Sequence, residues 1–295
     1  MLHENQYRFP AGVLQYQSGP SAVQITGYEG TDKLLQIPER IEGRPVEHIG
    51  KKAFWGSRGL VSVNLPETIK EIGDWAFASC PALEEVRLPG GAPRIGNKVF
   101  QGCGRLKYIV SCQGDLSLAR LTAMALTVLG ADYLLIQGQI GSESWFQSLD
   151  IKITELLYET EEEICKHLVY CAEEDMMEKQ ERCLREREYQ KAEAALLRLR
   201  DPRSLTQAVR SQLCEYLRRT TKGGLSETTW EMIRSNREEQ LPFCDTLMEI
   251  GAIGSHNIDA SLEDLDGREV ELKAYLLRRR SKMTESSEMW ETLKL

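Results

Sequence analysis

The chain has 295 residues, of which 41% are apolar and 28% are charged, and its formal net charge is -8. At roughly 150 residues per domain, this length predicts two domains, each long enough to bury a hydrophobic core. The composition excludes a disordered, collagen-like or small disulfide-framework protein, and the negative charge argues against a protein that binds nucleic acid through phosphate contacts.

The features that bear on cellular location favour a cytoplasmic protein. The eight cysteines are spread thinly along the chain, so we expect reduced thiols rather than a disulfide framework. The N-terminus lacks a basic start followed by an apolar run, so no secretory signal is visible. The longest apolar stretch, from Leu121 to Ile136, is interrupted by Gly130 and Asp132 and is too short to span a membrane.

The first part of the chain contains a repeat with a period of 23 residues. Four columns recur at this spacing: isoleucine before glycine at 49, 72 and 95, phenylalanine at 54, 77 and 100, leucine at 60, 83 and 106, and valine or isoleucine at 63, 86 and 109. A unit this short cannot cover its own apolar face, which is buried only when the next unit stacks on it. The repeat therefore predicts a solenoid whose phenylalanines, isoleucines and leucines form the core.

Each unit contains one short strand with a period of two. Val63 and Leu65 are predicted to face inward, whereas Ser62 and Asn64 face outward. Across the units, the outward positions form two ladders, which are Leu34, Ser62, Glu85 and Tyr108, and Gln36, Asn64, Arg87 and Val110. We predict a protein-binding surface at Ser62, Asn64, Glu85, Arg87, Tyr108 and Val110, since tyrosine and arginine are enriched in binding hot spots. An ordinary solvated sheet face is the alternative.

The repeat unit IKEIGDWAFASCPALEEVRLP resembles the BspA-type leucine-rich repeat, and the preceding stretch ITGYEGTDKLLQIPERIEGRPVEHIGKKAF is similar to the opening coil of that family. The resemblance covers roughly residues 7–112. It implies a right-handed, slightly curved stack that presents side chains for binding, in bacterial proteins that are usually not enzymes. Some relatives are surface proteins, so it also implies an alternative role in structure or adhesion at a cell surface.

The rest of the chain has a different character. Residues 1–114 carry 13 basic and 11 acidic side chains and residues 115–295 carry 24 and 34, so the net charge falls from +2 to -10. Apolar residues now recur at spacings of three and four, which predicts helices. Capping boxes are predicted at Thr160 with Glu163 and at Ser204 with Gln207. Later helices are predicted over about residues 204–219, 226–235, 237–250, 255–265 and 268–280.

These patterns predict an α+β multi-domain protein. Residues 1–114 are expected to form a short leucine-rich-repeat solenoid of 23-residue coils, and residues 115–295 an all-α helical-hairpin domain. The short helices with glycine-containing connections are loosely similar to ankyrin- or HEAT-like arrays, but their residues show no aligned columns. Whether the helical part is one unit or two stays open.

No set of residues in the sequence forms a recognisable catalytic, cofactor or metal site. The histidines stand apart from any candidate nucleophile, and phosphate-binding glycine loops and zinc-protease motifs are missing. His167 and Cys171 could share a helix face near Cys165 and Cys183, but Cys165 would point away, so ordinary thiols are favoured over zinc. The basic cluster Arg278–Arg280 with Lys282 is expected to complement the dipole at a helix end, and an anionic partner is the alternative.

We therefore predict a non-enzymatic, cytoplasmic scaffold that binds another protein and requires no cofactor. Nucleic acid and membrane are not expected among its partners. The alternatives are a cell-surface structural or adhesion protein, reached by a route independent of a signal peptide, and an enzyme whose site lies between the domains, where clefts commonly form.

Overall fold

The computed structural model describes residues 5–9, 12–90, 93–110, 114–135, 139–166, 173–221, 227–263, 265 and 269–292. Strands predominate in its first part and helices in its second. The strands are β1 (Asn5–Phe9), β2 (Gly12–Ser18), β3 (Val23–Gly30), β4 (Leu34–Gln36), β5 (Arg40–Ile41), β6 (Arg44–Ile49), β7 (Ser62–Asn64), β8 (Glu71–Ile72), β9 (Glu85–Arg87), β10 (Arg94–Ile95) and β11 (Tyr108–Val110). The helices are α1 (Leu116–Thr127), α2 (Glu143–Tyr158), α3 (Glu161–Cys165), α4 (Glu173–Arg200), α5 (Gln207–Thr220), α6 (Glu227–Ser235), α7 (Gln240–Glu249), α8 (Ile258–Glu263) and α9 (Val270–Thr292).

The strands form two sheets, and the stacked coils contribute strands to both. In the first sheet the order is β1-β2-β3-β6-β8-β10, with β5 added to β6, and in the second it is β4-β7-β9-β11. From β3 onward in the first sheet, and throughout the second, neighbours in this order pair in parallel. This is the pairing expected of a solenoid, because each coil returns the chain to the same point one layer further on. The antiparallel hairpin β1–β2 extends the first sheet beyond β3.

The phenylalanine column lies inside the coils as predicted. The ring centroids of Phe54 and Phe77 are 4.8 Å apart with planes 8° from parallel, and those of Phe77 and Phe100 are 5.7 Å apart at 12°. Tyr28 continues the column on the other side, 5.5 Å from Phe54. All three phenylalanines are buried. The aligned sequence columns therefore correspond to stacked rings, and the predicted solenoid of 23-residue coils is confirmed.

The glycine after each repeated isoleucine stands where neighbouring coils approach most closely. A Cβ atom added to Gly73 would lie 2.7 Å from the backbone nitrogen of Lys51 and 2.9 Å from the carbonyl carbon of Gly50. A Cβ on Gly96 would lie 2.7 Å from the backbone nitrogen of Asp74. Both contacts involve backbone atoms, which cannot move aside without disturbing the stack, so the coil spacing requires glycine here.

The helix α1 packs against the last coil. Asp115 caps its N-terminus by accepting a hydrogen bond from the Leu118 N–H at 3.1 Å, and α1 contacts β11. Ala123 and Leu126 of α1 join the hydrophobic core of the solenoid, as does Leu135 from the 3₁₀ turn Asp132–Leu135. The last strand ends at Val110 and α1 begins at Leu116, whereas the compact unit continues further because these helical side chains belong to its core. The two compact units are Met1–Lys152 and Ile153–Leu295.

The second unit is helical, and α4 contacts α3, α5, α6 and α7. Helices α5 to α9 occupy the segments predicted from the sequence, although α9 extends beyond its predicted end. The predicted capping box at Thr160 is confirmed, since the Glu163 N–H donates to Thr160 Oγ1 and the Thr160 N–H donates to Glu163 Oε2.

The predicted capping box at Ser204 with Gln207 is wrong. The cap of α5 is Thr206, whose Oγ1 accepts a hydrogen bond from the Val209 N–H at 3.3 Å. Ser204 lies in a turn closed by a hydrogen bond from the Leu205 N–H to the Pro202 carbonyl, and its φ of 52° is in the left-handed region. That turn delays the start of the helix, so the hydroxyl two residues further along the chain caps it.

Candidate protein-binding surfaces

The two outward ladders exist as aligned rows on the second sheet. The register of β4, β7, β9 and β11 pairs Leu34 with Ser62, Ser62 with Glu85 and Glu85 with Tyr108. The second row pairs Gln36, Asn64, Arg87 and Val110 in the same way. Between the rows, the alternate side chains Leu35, Val63, Val86 and Ile109 are buried. The structure therefore brings together the predicted site residues in the predicted register, and their role in binding stays a prediction.

The open part of this surface lies on β4, β7 and β9. Leu34 is 74% exposed, so its side chain is open to a partner. Arg87 is exposed, and its Nε donates to Glu85 Oε1 at 2.6 Å, so the two side chains hold one another on the same face. Asn64 is exposed beside Arg87, and Ser62 is half-buried. These side chains offer an apolar group, an amide and an ion pair on one face of the sheet.

The β11 end of the ladders differs from the prediction. Val110 was expected to face outward, but it is buried, with 7% of its surface exposed. Tyr108 is half-buried, and its ring lies 5.8 Å from the guanidinium carbon of the buried Arg120 of α1. The reason is the packing of α1 against β11, a contact between elements that follow different sequence patterns. Val110 therefore keeps its register beside Arg87 but is buried at the packed end of the stack, so its expected exposure on an open ladder was wrong.

The structure also shows a surface that the sequence analysis missed. Two tryptophans and two lysines meet in the turns that follow β6 and β8, and we name the group Lys51, Lys52, Trp55 and Trp75 the Trp–Lys surface. The Nζ of Lys51 lies 5.1 Å from the ring centroid of Trp75. The Nζ of Lys52 lies 5.5 Å from the ring of Trp55 and 5.9 Å from that of Trp75. These are cation–π distances, so the indole rings orient both ammonium groups.

Backbone geometry helps to place this group. Lys52 and Trp75 are equivalent positions of consecutive coils, and both have positive φ, 59° and 54° respectively. Lys98, the equivalent of the next coil, has φ 54°. The tryptophans do not belong to any repeated column. Trp55 corresponds to Ala78 and Gln101 in the next coils, and Trp75 corresponds to Lys52 and Lys98 in the neighbouring coils. The available signal was this departure from the repeat.

Four of the described cysteines are buried, two of them at the repeated position of the coils. The Sγ of Cys80 donates to the Phe54 carbonyl at 3.1 Å, and the Sγ of Cys103 donates to the Phe77 carbonyl at 3.0 Å, so these repeated cysteines tie neighbouring coils together. Burial raises the pKa of the Cys244 thiol to about 12. A thiol with this pKa stays protonated near neutral pH and is a poor nucleophile.

The second unit has a groove of about 470 Å³ whose lining includes Arg210, Cys214, Glu215 and Arg218. Its lining residues include no histidine, and Arg218 Nε donates to the backbone carbonyl of Ile250 at 2.6 Å. The groove thus presents surface charges of both signs without pairing a nucleophile with a base.

The metal and anion candidates of the sequence have separate outcomes. His167 and Cys171 lie outside the described residues, and among the described ones no group of histidine, cysteine and acidic side chains could hold a metal ion. In the basic cluster, Arg279 pairs with Asp245, and Arg280 Nε lies 3.0 Å from Asp259 Oδ1. These two arginines therefore make ion pairs within the second unit.

Comparison with known families agrees with the geometry of the coils. The model of the BspA type leucine rich repeat region matches residues 35–120 in six copies. Residues 35–120 are a BspA-type leucine-rich repeat region. Regions of this family are usually non-catalytic and leucine-rich repeat domains typically bind proteins. The match covers the strands β7, β9 and β11, which carry most of the ladders.

Similar solved structures are bacterial leucine-rich repeat proteins. One is a leucine-rich repeat protein of T. pallidum, 36% identical, with 33% of this chain and 46% of that chain covered and a TM-score of 0.32. Another is a leucine rich cell surface protein from Faecalibacterium prausnitzii, 28% identical, with 36% and 30% covered and a TM-score of 0.31. The chain thus spans less than half the length of either protein. A leucine-rich repeat protein from Bacteroides capillosus is 19% identical, with 37% and 99% covered and a TM-score of 0.25.

No curated protein matches the chain. Within the part of the chain that the structure describes, every helix is too short or too polar to cross a membrane.

Proposed function

We propose that this protein is a non-enzymatic scaffold whose BspA-type repeat region binds another protein through the ladder residues on β4, β7 and β9. The observation that carries the proposal is a pair of aligned rows on parallel strands, Leu34, Ser62 and Glu85 in one and Asn64 and Arg87 in the other. Neighbouring strands hold such side chains at fixed spacing, so a partner can contact several coils at once. The rigid stack beneath them lowers the entropy lost on binding.

The strongest single contribution is expected from Arg87. It is exposed, and the ion pair with Glu85 restricts its rotamers without removing its remaining donors. An arginine held in this way resembles the arginines that dominate binding energy in protein interfaces. Leu34, on the outermost strand β4, exposes apolar surface, and its burial under a partner would contribute favourably to the free energy of binding.

Quantitative affinity capture from the source lysate tests this proposal. The double variant Asn64→Ala, Arg87→Glu should fail to capture partner proteins that the wild-type chain recovers. The matched control is Arg94→Glu on β10, which reverses one exposed arginine on the first sheet. If the double variant recovers the same partners in the same amounts, or if Arg94→Glu loses them equally, the ladders are not the binding surface.

For cellular location, the proposal is the cytoplasm. Its support is that the described cysteines are free thiols, including Cys80 and Cys103 on neighbouring coils, and reduced thiols persist in the cytosol. Labelling of intact cells with a membrane-impermeant reagent tests this directly. Labelled protein on intact cells would instead support the cell-surface role.

A further inference from the structure

The Trp–Lys surface is a second exposed feature, on different residues from the ladders. Trp55 is 58% exposed, and Lys51 and Lys52 are exposed beside it. An indole ring this open leaves a large apolar area in contact with water, and a partner that covers it gains free energy. Trp55 is therefore an apolar group available to a partner.

The repeat itself shows that the solenoid does not need these tryptophans. At the position of Trp55, the next coils have Ala78 and Gln101, and at the position of Trp75, the neighbouring coils have lysine. The interior of each coil is already filled by its phenylalanine, as Phe54 and Phe77 show. The tryptophans therefore add a surface property to coils that would stack without them.

The two lysines are oriented but not neutralised. Both ammonium groups lie over indole rings, and among the described residues neither makes an ion pair within 4.0 Å. Each ammonium keeps donors for an outside acceptor. Asp74, the acid of the same turns, accepts hydrogen bonds from the backbone N–H and the side-chain amide of Asn97 at 2.7 and 3.3 Å.

We propose that the Trp–Lys surface binds an acidic segment of a partner protein. The carboxylates accept hydrogen bonds from Lys51 and Lys52, and an apolar side chain of the segment packs on Trp55. Charge complementarity selects the occupant, because two unpaired cations converge next to an exposed ring. The rings fix the lysines before binding, so less side-chain entropy is lost when the carboxylates arrive.

Carboxylates fit this surface better than phosphates. Recognition of a nucleic acid backbone uses many cations along a track, whereas this surface presents two lysines on a chain of net charge -8. The apolar ring beside the cations also favours a peptide with mixed acidic and apolar side chains. The ladders play no part in this inference, so its test is independent of the proposed function.

Fluorescence anisotropy with a labelled synthetic peptide of glutamates interrupted by leucines tests the proposal on the full chain. We expect two variants to bind the peptide at least about tenfold more weakly than the wild type, as for hot-spot residues. One is the double variant Lys51→Gln, Lys52→Gln, and the other is Trp55→Ala. It should also weaken as salt rises from about 0.05 to 0.5 M. The matched control is Lys33→Gln, Lys107→Gln, which removes the same charge from exposed positions elsewhere in the first unit and should bind as the wild type does.

Three results would overturn the proposal. One is equal binding of a peptide in which glutamine replaces every glutamate. Another is an equal loss in the Lys33, Lys107 control, which would mean that only net charge matters. The last is displacement by oligothymidylate or by anionic lipid vesicles at lower concentration than by unlabelled peptide, which would assign the surface to phosphate. Far-UV circular dichroism shows whether each variant is folded, and Arg87→Glu should leave peptide binding unchanged.

Discussion

Replacing Phe77 with alanine removes the central ring of the phenylalanine column. Phe77 is fully buried between Phe54 at 4.8 Å and Phe100 at 5.7 Å, so the substitution leaves a cavity and breaks two stacked ring pairs. A buried phenylalanine-to-alanine change costs about 3–5 kcal/mol, and each aromatic pair adds roughly 0.5–1.5 kcal/mol beyond area burial. We expect a loss near the upper end, about 5 kcal/mol.

The comparison with Phe100 makes this prediction specific. Among the described residues, Phe100 stacks on one ring, that of Phe77, so Phe100→Ala should cost about 3 kcal/mol. Urea unfolding is followed by tryptophan fluorescence in a background with Trp230→Phe and Trp290→Phe. The remaining tryptophans then belong to the first unit.

With a urea m-value of about 2 kcal/mol per M, the Phe77→Ala midpoint should fall by roughly 2.5 M. A loss below about 1 kcal/mol, or a larger loss for Phe100→Ala than for Phe77→Ala, would refute the reasoning that the column is a continuous stack.

Three further outcomes follow from features of the fold. Gly73→Ala should destabilise the first unit by about 2 kcal/mol, because the added Cβ would meet backbone atoms of the neighbouring coil. Gly104→Ala should be nearly neutral, because the space around its Cβ is open. Equal urea midpoints for the two variants would contradict the close approach of the coils at Gly73. Thr206→Ala should lower the free energy of unfolding by about 1 kcal/mol and Ser204→Ala by at most about 0.5 kcal/mol, since only the first removes the cap of α5. Thermal unfolding of the two variants measures this difference. A larger loss in Ser204→Ala would show that Ser204 is the cap. The free energy of unfolding of the second unit should fall as pH rises from 9 towards 12, because the Cys244 thiol keeps its proton in the folded state up to about 12 while the unfolded chain releases it near 9. Cys244→Ala should reduce this alkaline loss in denaturant titrations, and an unchanged pH profile would show that the thiol is not protected by burial.

The parts of the fold that repeat could be predicted from the sequence. A stack of equal coils needs the same side chain at the same place in each layer, so Phe54, Phe77 and Phe100 appear as a column with a fixed period. The outward rows followed from the same period and from the alternation of a strand, which is why Asn64 and Arg87 were placed beside one another correctly.

The parts that were missed depend on short elements or on contacts between distant residues. Strands β8 and β10 have two residues each, too few to show alternation, so only one strand was predicted in each unit. The burial of Val110 depends on α1, whose pattern gives no information about what it packs against. The Trp–Lys surface interrupts the repeat, so an analysis of repeated columns could not find it.

The hairpin β1–β2 and the helix α1 restrict how such an array can change in length. A duplicated coil inserted between existing parallel strands meets the same neighbours above and below, so its apolar side chains are covered at once. A coil added in front of β3 would have to displace the hairpin, and one added after β11 would separate α1 from the core that Ala123 and Leu126 complete. We therefore expect the array to accept or lose whole 23-residue coils in its middle, but not at the two ends where the hairpin and α1 cover it.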